Sequence, residues 1–203
     1  MRKETEARSL DAPGRKNQDR SFQAIQAIGG WALLASGFVA LLLVIGYTVT
    51  GGNALIFPIV GAVGSALLLL GMPAIWVMQP HTGRLGQVGL WCLGIGAGIA
   101  LVVRVLLLVS TVDVGDLVPL LSAVFNLLGS IIVGWVTIRA RVFPAAVGWL
   151  LIVGGVLNLL GGLTPAGLFT SVLGIVSGLA GAVAMAGYGW TIVGSTRHHS
   201  QAS

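Results

Sequence analysis

Six long runs of apolar residues, separated by short polar connections, fill the chain from residue 24 to residue 193. A helix rising 1.5 Å per residue needs about 20 apolar residues to cross the hydrocarbon core of a bilayer. The predicted spans are Ala24–Thr48, Ala54–Met78, Leu85–Val109, Leu117–Ile138, Phe143–Gly162 and Gly167–Val193. The pattern therefore predicts an all-α fold, a polytopic transmembrane bundle of six helices.

Polar segments flank this predicted transmembrane domain of residues 24–193. Residues 1–23 are rich in charge and contain a Pro13-Gly14 pair, a composition typical of disordered segments. We therefore expect a disordered tail at residues 1–23 and a short second tail at residues 194–203. The connections between spans are too short to hold a further domain.

Composition agrees with a membrane location. Of 203 residues, 56% are hydrophobic and 8% are charged, whereas a soluble domain has about 25% charged residues. The chain has too few polar groups to cover its own apolar surface, so lipid must cover it. The single cysteine, Cys92, lies inside the third span and excludes an intrachain disulfide.

The basic residues lie on one side of the predicted bundle. All of the 11 Lys and Arg residues except Arg104 precede the first span, follow the sixth, or lie in the second and fourth connections. Short cytoplasmic loops retain Lys and Arg, so both tails are predicted to be cytoplasmic. A nucleic-acid partner is not expected, because it would require cations clustered on one folded face.

Tryptophan gives a second sign of the same topology. The chain has 6 tryptophans, one in each predicted span and all in its cytoplasmic half. Tryptophan favours the headgroup boundary, where its ring is buried and its N–H finds a partner. The alternative is a shared cavity lined by these rings.

Small residues recur at helical spacing inside the spans. Gly94 and Gly98 form such a pair in the third span, and Ser130 and Gly134 form another in the fourth. Small residues four apart allow helix backbones to approach closely in a membrane. We expect these positions to be sites of helix packing.

Arg104 is the one charged residue predicted to lie inside a span, about 9 Å below the outer boundary. A charge there costs on the order of 2.5–3.5 kcal/mol unless it pairs or snorkels. Asn126 and Asn158 lie in neighbouring spans, and Asp113 and Asp116 lie in the adjoining loop. The sequence thus predicts an intramembrane polar cluster of these five residues.

Three interpretations of this cluster remain open. Arg104 pairs with Asp113 or Asp116, donates to Asn126 and to helix carbonyls, and so fixes three helices together. Alternatively, its guanidinium binds an anionic headgroup or a small anion. In the third interpretation the side chain snorkels outward without a special partner.

Catalytic chemistry has no visible basis in the sequence. All carboxylates and histidines lie outside the spans, and His198-His199 has no third ligand nearby for a metal. No metalloprotease, nucleophile-elbow or phosphate-loop motif occurs. We predict no catalytic residue, no cofactor, no metal and no enzymatic activity, and proton-coupled transport is disfavoured because no span carries an acid or histidine.

Two stretches resemble small bacterial integral membrane proteins of six helices that have no assigned activity. The first runs from Leu70-Gly71-Met72-Pro73 through Thr82-Gly83-Arg84-Leu85, and the second runs from Arg139-Ala140-Arg141 through Phe143-Pro144 into Gly148-Trp149. The resemblance implies a multi-pass protein of the bacterial inner membrane. It offers no catalytic residue to carry over.

Two functions are compatible with these observations. The first is a non-enzymatic membrane component that binds membrane lipids or a partner membrane protein, with a homo-oligomer as one form of that partner. The alternative is a small-solute or lipid transporter that uses the polar cluster around Arg104, with a dimer as one form of the protein.

Overall fold

The computed structural model describes residues 13–50, 56–79, 83–109, 115, 117–164 and 168–201. These residues form six α-helices and no strand, so the all-α prediction is confirmed. The helices are α1 Pro13–Thr50, α2 Ile56–Met78, α3 Gly83–Val109, α4 Leu117–Ala140, α5 Ala145–Leu163 and α6 Leu168–Gln201. Each contains a stretch long and apolar enough to cross a membrane.

The first and last helices extend beyond the predicted spans. Helix α1 begins at Pro13, so residues 13–23 are helical where the sequence predicted a disordered tail, and residues 1–12 lie outside the described residues. Proline suits the first turn of a helix, and the Arg and Lys that follow are good helix formers. Helix α6 likewise continues to Gln201, through much of the predicted second tail.

The helices form a closed ring. Each packs against the helices before and after it in the chain, and α6 packs against α1, which completes the ring. Consecutive helices run antiparallel, so the ring has two distinct ends. The end that carries Arg84, Arg139 and Arg141 is called the basic end, and the other is called the opposite end.

Glycine allows the closest contacts in the ring. At Gly134 on α4 and Gly148 on α5, a Cβ atom on either glycine would lie 2.6 Å from the carbonyl oxygen of the other. Between α6 and α1, a Cβ on Gly189 would lie 2.5 Å from the backbone nitrogen of Leu34. Neither position has room for a side chain, so these backbones touch as small-residue packing predicts.

A hydrophobic core fills the half of the ring nearest the basic end. Helix α2 contacts α6 across the ring, which among the described residues is the one contact between helices that are not neighbours, and Ser195 Oγ lies 3.9 Å from Met78 Sδ near the basic end. The buried core residues are Leu33, Met72, Ala74, Ile75, Leu93, Ala97, Val133, Phe143, Val147, Leu151, Ala184, Met185, Tyr188 and Ile192. This half of the bundle is therefore closed.

The outer surface is apolar and carries the tryptophans. Trp91 and Trp190 are 72% and 74% exposed, and the other four tryptophans are each at least half exposed. Exposed indole rings on every helix at one level of the bundle are the arrangement that interfacial anchoring requires. Together with the helix lengths, this surface is compatible with a multi-pass membrane protein.

Candidate functional site

A large cavity lies in the half of the ring nearest the opposite end. Its volume is about 920 Å³, and all six helices contribute to its wall. We call it the large compartment. It reaches the opposite end of the ring, where its wall includes Tyr47, Leu107 and Gly162 in the last turns of α1, α3 and α5 and Phe57 in the first turn of α2. The ring thus encloses space at one end and is solid at the other.

A second cavity of about 270 Å³ continues toward the core. This small compartment is lined mostly by glycine, alanine and serine, with Leu68 and Met185 among its larger residues. Its serines bond within the protein: Ser36 Oγ donates to the Gly64 carbonyl at 3.1 Å, and Ser177 Oγ donates to the Gly154 carbonyl at 2.9 Å. No tryptophan lines either compartment, so the alternative prediction of a shared cavity lined by tryptophan rings is wrong.

Six residues belong to the walls of both compartments and define the neck between them. They are Leu43, Gly61, Ala100, Arg104, Asn126 and Asn158. Three of the five predicted cluster residues are therefore the polar groups of the neck. The other two, Asp113 and Asp116, lie outside the described residues.

The Arg104 side chain is positioned by helix α2. Its Nη1 atom donates to the Gly61 carbonyl oxygen and to Ser65 Oγ, both at 2.5 Å. Gly61 makes room for the guanidinium, since a Cβ at that position would lie 2.7 Å from Arg104 Nε. The predicted donation to Asn126 is not found among these bonds, because the side chain extends across to α2 rather than to α4.

Part of the guanidinium has no protein partner. Within the described part of the chain, the Nε–H and both Nη2–H bonds of Arg104 meet no acceptor, and no carboxylate lies within ion-pair distance. The side chain is half-buried on the neck wall. Both acceptors it does meet are uncharged, so the structure fixes its direction without neutralising its charge.

The two asparagines differ in their surroundings. Asn126 Nδ2 donates to the Ser122 carbonyl at 2.9 Å, and Ser122 Oγ donates to the Gly96 carbonyl at 2.9 Å, which links α4 to α3. Asn158 makes no hydrogen bond to another described side chain or backbone group. Its amide is therefore available, as donor and acceptor, to a molecule in the cavity.

Sequence reasoning missed a buried polar network at the closed end. Gln79 Nε2 donates to Thr137 Oγ1 at 3.0 Å, and Thr137 Oγ1 lies 2.7 Å from the Tyr188 hydroxyl. The Tyr188 ring packs edge to face on Phe143, with centroids 4.8 Å apart. A tyrosine inside an apolar helix, between Gly187 and Gly189, was the available signal, since a buried hydroxyl needs a partner.

The walls carry no candidate for acid–base or metal chemistry. Among the described residues, no His, Cys, Asp or Glu lines either compartment. Across the described ranges, no three such residues come together as a metal site would require. In the described part of the chain, the cavity offers a fixed cation, two amides, several serine hydroxyls and a mainly apolar wall.

Comparison with protein-family models, with curated proteins and with solved structures finds no match to this chain. The resemblance to small bacterial six-helix proteins therefore stays a prediction. Function has to be inferred from the cavity itself.

Proposed function

We propose that this protein is a non-enzymatic, multi-pass membrane protein that binds an anionic group at Arg104, in the cavity between its helices. The observation that carries the proposal is the half-buried guanidinium on the neck wall, held by Gly61 and Ser65 with its Nε and Nη2 donors unused. Both tails lie in the cytoplasm and the basic end faces it, in a bacterial inner membrane.

Electrostatics favours a ligand at this point. A cation inside a membrane protein costs on the order of 2.5–3.5 kcal/mol, and hydrogen bonds to neutral acceptors offset only part of that cost. Carboxylate and phosphate oxygens match the planar fork of a guanidinium and bond to it in pairs. The parallel Nε–H and Nη2–H bonds offer such a pair.

Native mass spectrometry of protein released from its own membranes tests this proposal. We expect wild type to retain an anionic lipid or metabolite that Arg104→Leu loses. Gly61→Ala should weaken retention by about tenfold, because the new Cβ displaces the guanidinium without removing its charge. Arg84→Leu, at the basic end, is the matched control and should retain the ligand as wild type does.

Thermal unfolding of the same variants separates binding from folding. Arg104→Leu leaves no described carboxylate unpaired and should fold. Equal retention by wild type and by folded Arg104→Leu would contradict the proposal. A control that loses the ligand together with Arg104→Leu would place the anion on the basic surface instead.

Transport is the second candidate, and the small compartment is the observation that favours it. The cavity continues past the neck toward the basic end and stops at the hydrophobic core. Such a route, open on one side of its binding residues and closed on the other, is what a transporter presents in one of its two states. Binding of a partner membrane protein or a second copy stays a prediction.

A further inference from the structure

We infer that the ligand is an amphipathic anion, whose carboxylate or phosphate lies at the neck and whose apolar body fills the large compartment. This inference rests on the proposed function and specifies its ligand class. It distinguishes a lipid-like ligand from a free inorganic anion, which would use the same guanidinium.

The size of the large compartment is the first argument. Its volume of about 920 Å³ lies near the upper end of the roughly 300–1,000 Å³ range of small-molecule sites. An inorganic phosphate at Arg104 would occupy a small part of that space. The remaining volume would then be filled either by water or by an apolar part of the ligand.

The chemistry of the wall decides between those two. Away from the neck, the large compartment is lined mainly by apolar groups, among them Val44, Val103, Leu107 and Ile175, with Ser122 and Ser171 as its serine hydroxyls. Tyr47 and Phe57 stand edge to face at its rim, with ring centroids 6.2 Å apart. Water gains little from such a wall, whereas an apolar chain gains free energy for each methylene it buries.

The small compartment is the less suitable place for the body. It has less than a third of the volume, at about 270 Å³ against about 920 Å³. Of its three serines, Ser36 and Ser177 donate to backbone carbonyls and Ser65 accepts from Arg104, so each hydroxyl already has a partner within the protein. The ligand therefore extends from Arg104 toward the opposite end.

Calorimetric titration with water-soluble phosphates tests the inference. The protein is held in nanodiscs of zwitterionic lipid, and Arg104→Leu nanodiscs are titrated in parallel so that heat from partitioning into lipid is subtracted. The probes are inorganic phosphate, ethyl phosphate and hexyl phosphate. A buried methylene is worth about fourfold in affinity, so Kd should fall at least tenfold from ethyl to hexyl phosphate.

Substitutions at two glycines test which compartment holds the apolar part of the ligand. Gly174 lines the large compartment and Gly181 lines the small one, and a Cβ on either meets nothing within 4 Å. Gly174→Leu should raise the Kd of hexyl phosphate at least tenfold and leave that of inorganic phosphate within about twofold. Gly181→Leu should change the Kd of hexyl phosphate by less than about threefold.

Each outcome of these titrations supports or contradicts a specific part of the inference. Equal Arg104-dependent Kd values for inorganic and hexyl phosphate would overturn the amphipath and keep the anion site. No Arg104-dependent heat from any probe would overturn the site and the amphipath together. A larger effect from Gly181→Leu would place the body in the small compartment and overturn the inference. Should Gly174→Leu not fold, Gly162→Leu fills the same compartment from α5, again with no neighbour within 4 Å.

Discussion

At Arg104, a charged side chain is held in place by groups that carry no charge. The Gly61 carbonyl and Ser65 hydroxyl, one turn apart on α2, fix the two Nη1–H bonds and so fix the plane of the guanidinium. A rotating cation would have to lose entropy when it bound an anion, whereas this one has already lost most of it. Such a side chain is preorganised for a planar, bidentate partner.

The network at Thr137 allows a second test at the scale of single residues. Thr137 bonds both Gln79 and Tyr188, and Thr137 and Tyr188 are fully buried. Tyr188→Phe removes one hydrogen bond and should lower the free energy of unfolding by about 1 kcal/mol. Thr137→Val removes the shared partner of two buried groups and should cost about 2–3 kcal/mol.

Thermal unfolding in one detergent measures both variants. Ser130→Ala, on the same helix, controls for polar substitution away from this network. If Thr137→Val and Tyr188→Phe are equally stable, Thr137 is not the link between α2 and α6.

Individual residues could be predicted from the sequence only where their chemistry is unusual. Arg104 was identified because it is the only cation in a span. Donation to a helix carbonyl was predicted and is confirmed by the bond to Gly61. Which carbonyl it meets could not be predicted, because a backbone carbonyl has no signature in the sequence and the rotation of α3 decides it. The sequence predicts Asp113 or Asp116 as a partner because charge, unlike a carbonyl, is visible in the sequence; both residues lie outside the described part of the chain, so this pairing stays a prediction.

At the scale of the helix, spacing alone did not identify the glycines that pack. Gly94 and Gly98 have the expected separation, yet a Cβ at Gly98 would meet nothing within 4 Å and one at Gly94 only Met72 Sδ at 3.6 Å. Gly134, in contrast, touches α5 as predicted. With 31 glycines in the chain, the spacing occurs often, and only the direction each helix faces separates contact from open space.

Gly189 gives the prediction for a helix contact. Its position against the α1 backbone leaves no room for a side chain, so Gly189→Leu should push α6 away from α1. We expect a loss of about 3 kcal/mol, at the upper end of overpacking effects. Gly194→Leu is the matched control on the same helix, because a Cβ there meets nothing within 4 Å.

Size-exclusion chromatography and thermal unfolding compare the two variants. A Gly189→Leu protein as stable as Gly194→Leu would show that α1 and α6 tolerate separation.

At the scale of the whole molecule, the two ends of the bundle differ in charge and in packing. Basic residues, tryptophans and the hydrophobic core lie toward one end, and the cavity lies toward the other. If the basic end faces the cytoplasm, as Lys and Arg in short loops indicate, the cavity is reached from outside the cell.

Cysteine labelling in intact cells tests this orientation, in a Cys92→Ser background that removes the single native thiol. A membrane-impermeant maleimide should label Asp116→Cys and spare Arg139→Cys. It should also label Asn126→Cys, because the large compartment leads to that residue from the same side. If Arg139→Cys is labelled and Asp116→Cys is spared, the protein has the opposite topology. If Asp116→Cys is labelled and Asn126→Cys is protected, the cavity is not open to that side.

The six helices could be predicted from the local sequence pattern, but their arrangement in a ring could not. Six spans could be predicted because each is apolar over its full length, and their observed bounds differ by a few residues except at the outer parts of α1 and α6. The closed ring and its cavity could not, because contact between α1 and α6 joins segments at opposite ends of the chain. The space between helices depends on their separation, which no periodicity encodes.

The closed ring also has a consequence for biosynthesis. The seam between α1 and α6 requires the first and last helices to be made, so α1 has one flank without its partner while α2 to α5 are inserted. Gly30 and Gly37, which contact α6 in the finished ring, lack that contact for the whole interval. The ring, and the cavity that it encloses, can therefore close only after α6 has been made and packs against α1.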